Sequence, residues 1–151
     1  NTYYSFAATF FEKRGGRLEK EVFGWIYKRF EGHTWYMQVL LNRLYEQYET
    51  VTDIRQAEFI LAQLLEENTP VYQNFISLLT DNQLQLMQSI AREGKVATPN
   101  SGEFVKRYGL KASSSVNTAL KSLQEKELVY KSDKGYIVYD RFMALWLATL
   151  P

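Results

Sequence analysis

Apolar residues recur at helical spacing through most of residues 1–79. The second of these stripes is the clearest, because Leu18, Val22, Ile26 and Phe30 follow one another at intervals of four. Glycines interrupt the pattern at residues 15–16 and at residue 32, and Pro70 suits the first turn of a further helix. The spacing therefore predicts five helices, which cover approximately residues 3–13, 18–32, 34–48, 52–66 and 70–79, with Thr52 as the cap of the fourth.

From Thr80 onward the sequence predicts a different succession of helices, turns and strands. Thr80 and Gln83 have the spacing of a capping box, which predicts a helix that ends at Gly94. Ser101 can cap a second, short helix, and Gly109 can turn the chain into a third. The remaining predicted elements are a short edge strand at residues 95–99, the helix of residues 112–126, and a hairpin of residues 128–131 and 136–139.

This order of elements is typical of a winged helix, which is a helix-turn-helix followed by a β-hairpin. We therefore predict a mainly α fold, with a helical bundle in residues 1–79 and a winged-helix domain in residues 80–151. The final helix should pack on that domain through Phe142, Leu145 and Trp146. The boundary is predicted near Leu79–Thr80, with little or no linker.

The charge of the chain differs between its two parts. Residues 1–79 carry 8 basic and 10 acidic residues, whereas residues 80–151 carry 10 and 7, so their formal net charges are −2 and +3. A basic excess of this size points weakly to nucleic acid. The chain has no cysteine, and no apolar run is long enough to cross a membrane, so we expect a cytoplasmic protein without membrane contact.

The search for catalytic chemistry is negative. His33 is the only histidine, so no His/Cys metal cluster can form, and we predict no metal ligands. The sequence has neither a phosphate-binding glycine loop nor a nucleophile elbow. We therefore predict that this chain has no catalytic residues and is not an enzyme by itself.

Several short motifs resemble segments of prokaryotic, archaeal-type P-loop ATPases of the AAA+/STAND kind, in the same order. The first, Gly32-His33-Thr34-Trp35-Tyr36-Met37-Gln38, is similar to their Gly-His-Pro-Tyr-Tyr-Val-Gln segment. The others lie at residues 78–83, 94–96, 108–110, 113–116, 119–120 and 138–147. Two family prolines are replaced here, by Thr34 and by Arg141, and Asp140 should still cap the final helix.

The resemblance implies a non-catalytic, regulatory region that follows a nucleotide-binding core: a helical lid, then a winged helix. ATP and magnesium would then bind in that core, upstream of Asn1. The chain begins almost inside its first helix, which also suggests a fragment. A helix N-terminus favours anions, so the corner at Gly32, His33, Thr34, Trp35 and Tyr36 is the candidate nucleotide lid. Alternatively, Trp35, Tyr36 and Met37 belong to the core.

The alternative function is that of a stand-alone DNA-binding transcriptional regulator. A winged helix places its recognition helix in the major groove and its wing against the backbone. The candidate contacts for DNA or a partner protein are Arg107, Lys111, Ser113, Ser114, Asn117, Lys121, Lys131 and Lys134. A solvated face without a partner is the third interpretation.

The residues near the start of the chain are rich in aromatic side chains. Tyr3, Tyr4, Phe10 and Phe11 are candidates for a face that meets the missing ATPase core. We also expect the isolated chain to self-associate through this face.

Overall fold

The computed structural model describes residues 2–151, which form two compact units, one that extends to Glu67 and one from Asn68 to Pro151. The division between them falls after Glu67 in the sequence. The boundary near Leu79–Thr80 stays a prediction about where independently folding domains divide. No helix in residues 2–151 has the length and apolar character needed to cross a membrane.

The first unit contains helices and two very short strands. Its elements are α1 (Thr2–Lys13), β1 (Arg17–Leu18), α2 (Lys20–Phe30), α3 (Thr34–Gln47), β2 (Thr50–Val51) and the first part of α4 (Ile54–Ile76). The core consists of fully buried side chains that include Phe23, Ile26, Phe30, Met37 and Leu44. The helical spacing of the sequence therefore identifies most of this core correctly.

The short parallel pair of β1 and β2 is absent from the sequence prediction. Arg17 pairs with Thr50 and Leu18 with Val51, so Leu18 lies in a strand and not in the second helix as predicted. Gly16 makes this pairing sterically accessible, because a Cβ atom there would lie 1.9 Å from the carbonyl oxygen of Glu49. Strands of two residues have no alternation of apolar and polar positions, so the pattern could not show them.

The prediction of separate fourth and fifth helices is wrong. Helix α4 runs without interruption from Ile54 to Ile76, with Pro70 inside it. A proline removes one helical hydrogen bond, but Pro70 is exposed, and the buried residues Leu64 and Leu65 precede it and Tyr72 follows it in the helix. Packing of this kind contributes most of the stability of helices in proteins, which explains why it outweighs the proline.

The start of α4 is capped one residue later than predicted. Asp53 Oδ1 accepts a hydrogen bond from the amide of Arg55 at 2.9 Å. Gln56 Oε1 accepts from the amides of Thr52 and Asp53 at 2.9 and 3.0 Å. Asp53 and Gln56 therefore form the cap, and the assignment of that role to Thr52 is wrong.

The second unit begins with the end of α4. Its further elements are α5 (Asp81–Glu93), α6 (Gly102–Arg107), α7 (Ser113–Glu125), β3 (Val129–Ser132), β4 (Gly135–Val138) and α8 (Arg141–Thr149). Strands β3 and β4 are antiparallel, with Val129 opposite Val138 and Ser132 opposite Gly135. Val96 adds a third position, since it exchanges two backbone hydrogen bonds with Tyr136 at 3.0 and 2.8 Å.

The predicted helix starts of this unit are confirmed at three positions. Thr80 Oγ1 accepts from the amide of Gln83, and Gln83 Oε1 accepts from the amide of Thr80, which completes the capping box. Ser101 caps α6, and Asp140 caps α8. The final helix buries Phe142 and Trp146 as predicted, whereas Leu145 is half-buried.

Candidate functional site

Helix α7 presents one apolar side and one polar side. Val116, Ala119, Leu120 and Leu123 are buried against the rest of the second unit. The start of the helix is positioned by Ser113, whose hydroxyl donates to the carbonyl oxygen of Asn100 at 2.8 Å. Because the buried residues fix the rotation of α7, most of its other residues are exposed, whereas Ser115 and Ser122 are half-buried.

The polar side of α7 contains most of the predicted binding residues. Ser114, Asn117 and Lys121 are exposed, and their spacing of three and four residues places them on one face of the helix. Lys111 is exposed in the turn before α7, and the exposed Ser113 begins the helix. Sequence reasoning missed Thr118, which is also exposed and donates to the carbonyl oxygen of Ser114 at 3.1 Å.

The turn between α6 and α7 follows the predicted helix-turn-helix pattern. Gly109 has a φ of +62°, a conformation that favours glycine. The next residue, Leu110, is buried, and its amide donates to the carbonyl oxygen of Val105 at 2.9 Å. The turn therefore fixes the direction in which α7 leaves α6.

The hairpin of β3 and β4 forms the wing. Gly135 has a φ of +131°, and a Cβ atom there would lie 2.8 Å from the carbonyl carbon and oxygen of Val96. Within the loop, the Ser132 hydroxyl donates to the carbonyl oxygen of Gly135 at 2.7 Å and accepts from the amide of Lys134 at 3.2 Å. The loop is thus held by its own polar groups.

The two predicted wing lysines differ in their surroundings. Lys134 is exposed at the loop. Lys131 is exposed on β3, and its ammonium nitrogen lies 5.8 Å from the centre of the Tyr136 ring, within the range of a cation–π contact. Both remain accessible to a ligand, although Lys131 would give up or share its contact with the ring.

Arg107 is already paired within the protein. Its Nη1 lies 2.6 Å from Glu93 Oε1, and its Nη2 lies 2.7 Å from Glu103 Oε1. The Tyr108 hydroxyl donates to the same Glu93 oxygen at 2.6 Å. The hydrogen bond from Tyr108, together with Arg107, lowers the pKa of Glu93. Arg107 would have to leave these carboxylates before it could bind a phosphate.

A polar cleft of about 340 Å³ opens beside the polar side of α7, where the first turns of α5 and α7 come together. Its walls include Asn82, Gln83, Ser115 and Thr118. Gln83 joins the two helices, because its Nε2 donates to Ser122 Oγ at 3.0 Å while its Oε1 caps α5. The capping box reveals Gln83 in the sequence, but its second contact with Ser122 depends on the fold.

The candidate nucleotide lid lies in the first unit, at the corner between α2 and α3. Gly32 has a φ of +77°, and a Cβ atom there would lie 3.0 Å from the Tyr27 ring. His33 is the N-cap of α3 and makes no side-chain cap bond. His33 and Thr34 are exposed, and Trp35 is 65% exposed and packs edge-on against Tyr36.

The alternative prediction, that Trp35, Tyr36 and Met37 belong to the hydrophobic core, is correct for only some of these residues. Met37 is fully buried, and Tyr36 is half-buried and stacks on Phe30 with ring centres 5.8 Å apart. Trp35 is not part of the core. In residues 2–151, no group of three or more His, Asp or Glu side chains is placed to share a metal ion.

The helix-turn-helix of α6 and α7, the hairpin of β3 and β4, and the bridge from Val96 together define a winged helix. A family model described as "Probable winged helix domain" matches residues 70–149. The chain belongs to this family. No curated protein and no solved structure matches it. The comparisons therefore lend no support to the resemblance to AAA+/STAND ATPases.

Proposed function

We propose that the winged helix docks duplex DNA through one face, defined here as the docking face: Lys111, Ser114, Asn117 and Lys121 with the wing residues Lys131 and Lys134. The observation that carries the proposal is the exposed polar side of α7 beside a buried apolar side. Serine and asparagine can contact base edges, and lysine binds phosphate. The net charge of +3 on residues 80–151 supports attraction to a polyanion.

The charges near this face set an upper limit on affinity. Arg107 is paired with two glutamates, and Glu125, Glu127 and Asp133 lie close in sequence to the lysines. We therefore expect about three phosphate contacts. The slope of log K against log salt would then be about −2.7, which corresponds to about forty-fold weaker binding at 200 mM than at 50 mM salt.

The test is fluorescence anisotropy with a labelled duplex across this range of salt. Lys121→Ala and Lys134→Ala should each weaken binding and reduce the salt slope by about one. Lys28→Ala is the matched control, because it removes the same charge from an exposed helix position in the first unit. Absence of duplex binding at about 50 mM salt, or equal loss in the control, would refute the proposal.

The charges on and near the docking face also favour a second candidate, a protein partner. Because the lysines alternate with Glu125, Glu127 and Asp133, the docking face also suits a protein partner whose surface carries charges of both signs. In this case the duplex titration would fail, whereas the same lysine variants would weaken binding of the partner.

We further propose that this chain is the regulatory part of an ATP-dependent AAA+/STAND protein, in which nucleotide state controls docking. The support is the ordered resemblance of the motifs, together with exposed His33, Thr34 and Trp35 at the uncapped start of α3. The test is titration of the full-length protein with ATP and ADP. Unchanged affinities in His33→Ala and Trp35→Ala would remove the lid contact.

The residues that precede Asn1 in the gene distinguish this context from a stand-alone regulator. A phosphate-binding loop there would support the ATPase proposal. A start codon directly before Asn1 would favour the DNA-binding regulator and leave the docking face as its functional site.

A further inference from the structure

The polar cleft between α5 and α7 is continuous with the docking face. It is lined by Thr80, Asn82, Gln83, Ser114, Ser115, Thr118 and Ala119. Ser114 belongs to both surfaces. A small depression next to the cleft is shared by Asn82, Ser115 and the docking-face residue Lys111. Asn82 therefore brings α5 to the edge of the docking face.

The polar side chains of the cleft differ in whether they are already hydrogen-bonded. Gln83 is bonded through both atoms of its amide, and the Thr118 hydroxyl donates to the carbonyl oxygen of Ser114. Within residues 2–151, the side chains of Asn82, Ser114 and Ser115 make no hydrogen bond to another protein group. Asn82 and Ser115 are half-buried, so neighbouring side chains restrict their positions. Three donors are therefore available to a ligand in one cleft.

A duplex docked on α7 would bring its backbone to this cleft. A helix with its side chains is about 10–12 Å across, and the major groove is about 12 Å wide, so the flanks of an inserted helix meet the sugar–phosphate strands. The cleft lies on one flank of α7, because its lining runs from the exposed Ser114 and Thr118 to the buried Ala119. Hydroxyl and amide groups are common donors to phosphate oxygens in complexes of proteins with DNA.

The charged residues beside the cleft are of both signs. Lys111 would attract the same strand, whereas Asp81, which is exposed and precedes Asn82, would repel it. Among the residues that the structure describes, only uncharged ones line the cleft itself. Salt dependence arises from cations that displace the counterions of DNA, so a phosphate held by neutral donors adds affinity without adding salt dependence.

We propose that the cleft receives one backbone phosphate of the docked duplex, to which Asn82, Ser114 and Ser115 donate hydrogen bonds. This inference rests on the proposed function, because the duplex must be docked on α7 for its backbone to reach the cleft. It adds α5 to the elements that contact DNA. Loss of the Asn82 donor should weaken binding at an unchanged salt slope, which distinguishes this residue from the lysines of the docking face.

The test is fluorescence anisotropy with a labelled duplex between about 50 and 200 mM salt. Asn82→Ala should weaken binding about tenfold at every salt concentration, because a hydrogen bond to a charged group is lost, and should leave the slope unchanged. Asn82→Asp should weaken binding further, because a carboxylate would face the phosphate. Asn82→Arg should strengthen binding and make the slope steeper by about 0.9, because it adds a cation.

Asn42 provides the matched control, because it is an exposed asparagine on α3 in the first unit. Asn42→Ala, Asn42→Asp and Asn42→Arg should leave the affinity and the slope unchanged. Circular dichroism should confirm that each variant is folded. The stronger binding expected of Asn82→Arg could not result from unfolding, so this variant tests the contact even if another Asn82 variant is destabilised.

The outcomes separate this inference from the proposed function. If the lysine variants weaken binding but the three Asn82 variants bind like wild type, the cleft contact is wrong and docking on α7 stands. Equal changes in the Asn42 variants, or a shallower slope in Asn82→Ala, would also overturn the cleft contact. A wild-type chain that binds no duplex would overturn both proposals.

Discussion

The hydrogen bond between Trp146 and Thr69 stabilises the second unit, and the free energy that it contributes can be estimated from the structure. Trp146 is 5% exposed in α8, and its indole nitrogen donates to Thr69 Oγ1 at 3.1 Å. Its ring centre lies 5.3 Å from that of Tyr72, so α8 packs against the last part of α4. Thr69→Val keeps the shape of the side chain but removes the acceptor.

The expected loss follows from the burial of the donor. An indole N–H left without an acceptor in a buried place costs about 1–2 kcal/mol. With a urea m-value of about 2 kcal/mol/M, the urea midpoint should fall by about 0.5–1 M. Trp146→Phe should also destabilise, but adding Thr69→Val to it should cost less than in the wild-type chain, because the donor is already absent.

Urea unfolding followed by far-ultraviolet circular dichroism measures these differences. Thr98→Val is the control, since Thr98 is exposed and the substitution should change the free energy of unfolding by less than about 0.5 kcal/mol. Equal stability of Thr69→Val and wild type would refute the reasoning. Strict additivity of the two substitutions would also show that the hydrogen bond does not couple these helices.

The remaining predictions concern the caps, the wing and the ionisable groups of the second unit. Thr80→Ala should lower the free energy of unfolding by about 1 kcal/mol in the same urea assay, because it removes the cap of α5. Gly135→Ala should lower the melting temperature, because its Cβ would collide with the Val96 backbone, whereas the control Gly102→Ala has open space and should not. Because the pKa of Glu93 is lowered in the folded state, its carboxylate stabilises the fold above its ordinary pKa of 4.5, and this contribution disappears as the pH falls through the lowered value. Glu93→Gln should therefore flatten the acid side of a plot of unfolding free energy against pH, and an unchanged profile would contradict this cause.

The features of the fold that depend on local chemistry could be predicted from the sequence. The capping box of Thr80, the caps at Ser101 and Asp140, and the glycine turn at Gly109 are all read from residues close together in the chain. These caps and turns determine the order of elements in the winged helix. The hairpin was also predicted, within one residue at each end of its strands.

The features that depend on distant contacts could not be predicted. The continuity of α4 through Pro70 depends on packing around the proline, and the pairing of β1 with β2 joins residues more than thirty positions apart. The two ion pairs of Arg107 differ in this respect. Glu103 lies four residues before Arg107, a helical spacing that the sequence shows, whereas the pairing with Glu93 depends on the fold. Arg107 stays a candidate contact, but its pairing with Glu93 could not be read from the sequence.

The most direct test of the central claim is an NMR titration of the 151-residue chain with a short duplex at about 50 mM salt. We predict that the backbone amide signals of Ser114, Asn117, Lys121 and Lys134 shift together, in a salt-dependent manner, while those of α2 and α3 do not. Absence of any shift, or shifts confined to the first unit, would contradict the assignment of α7 and the wing as the docking face.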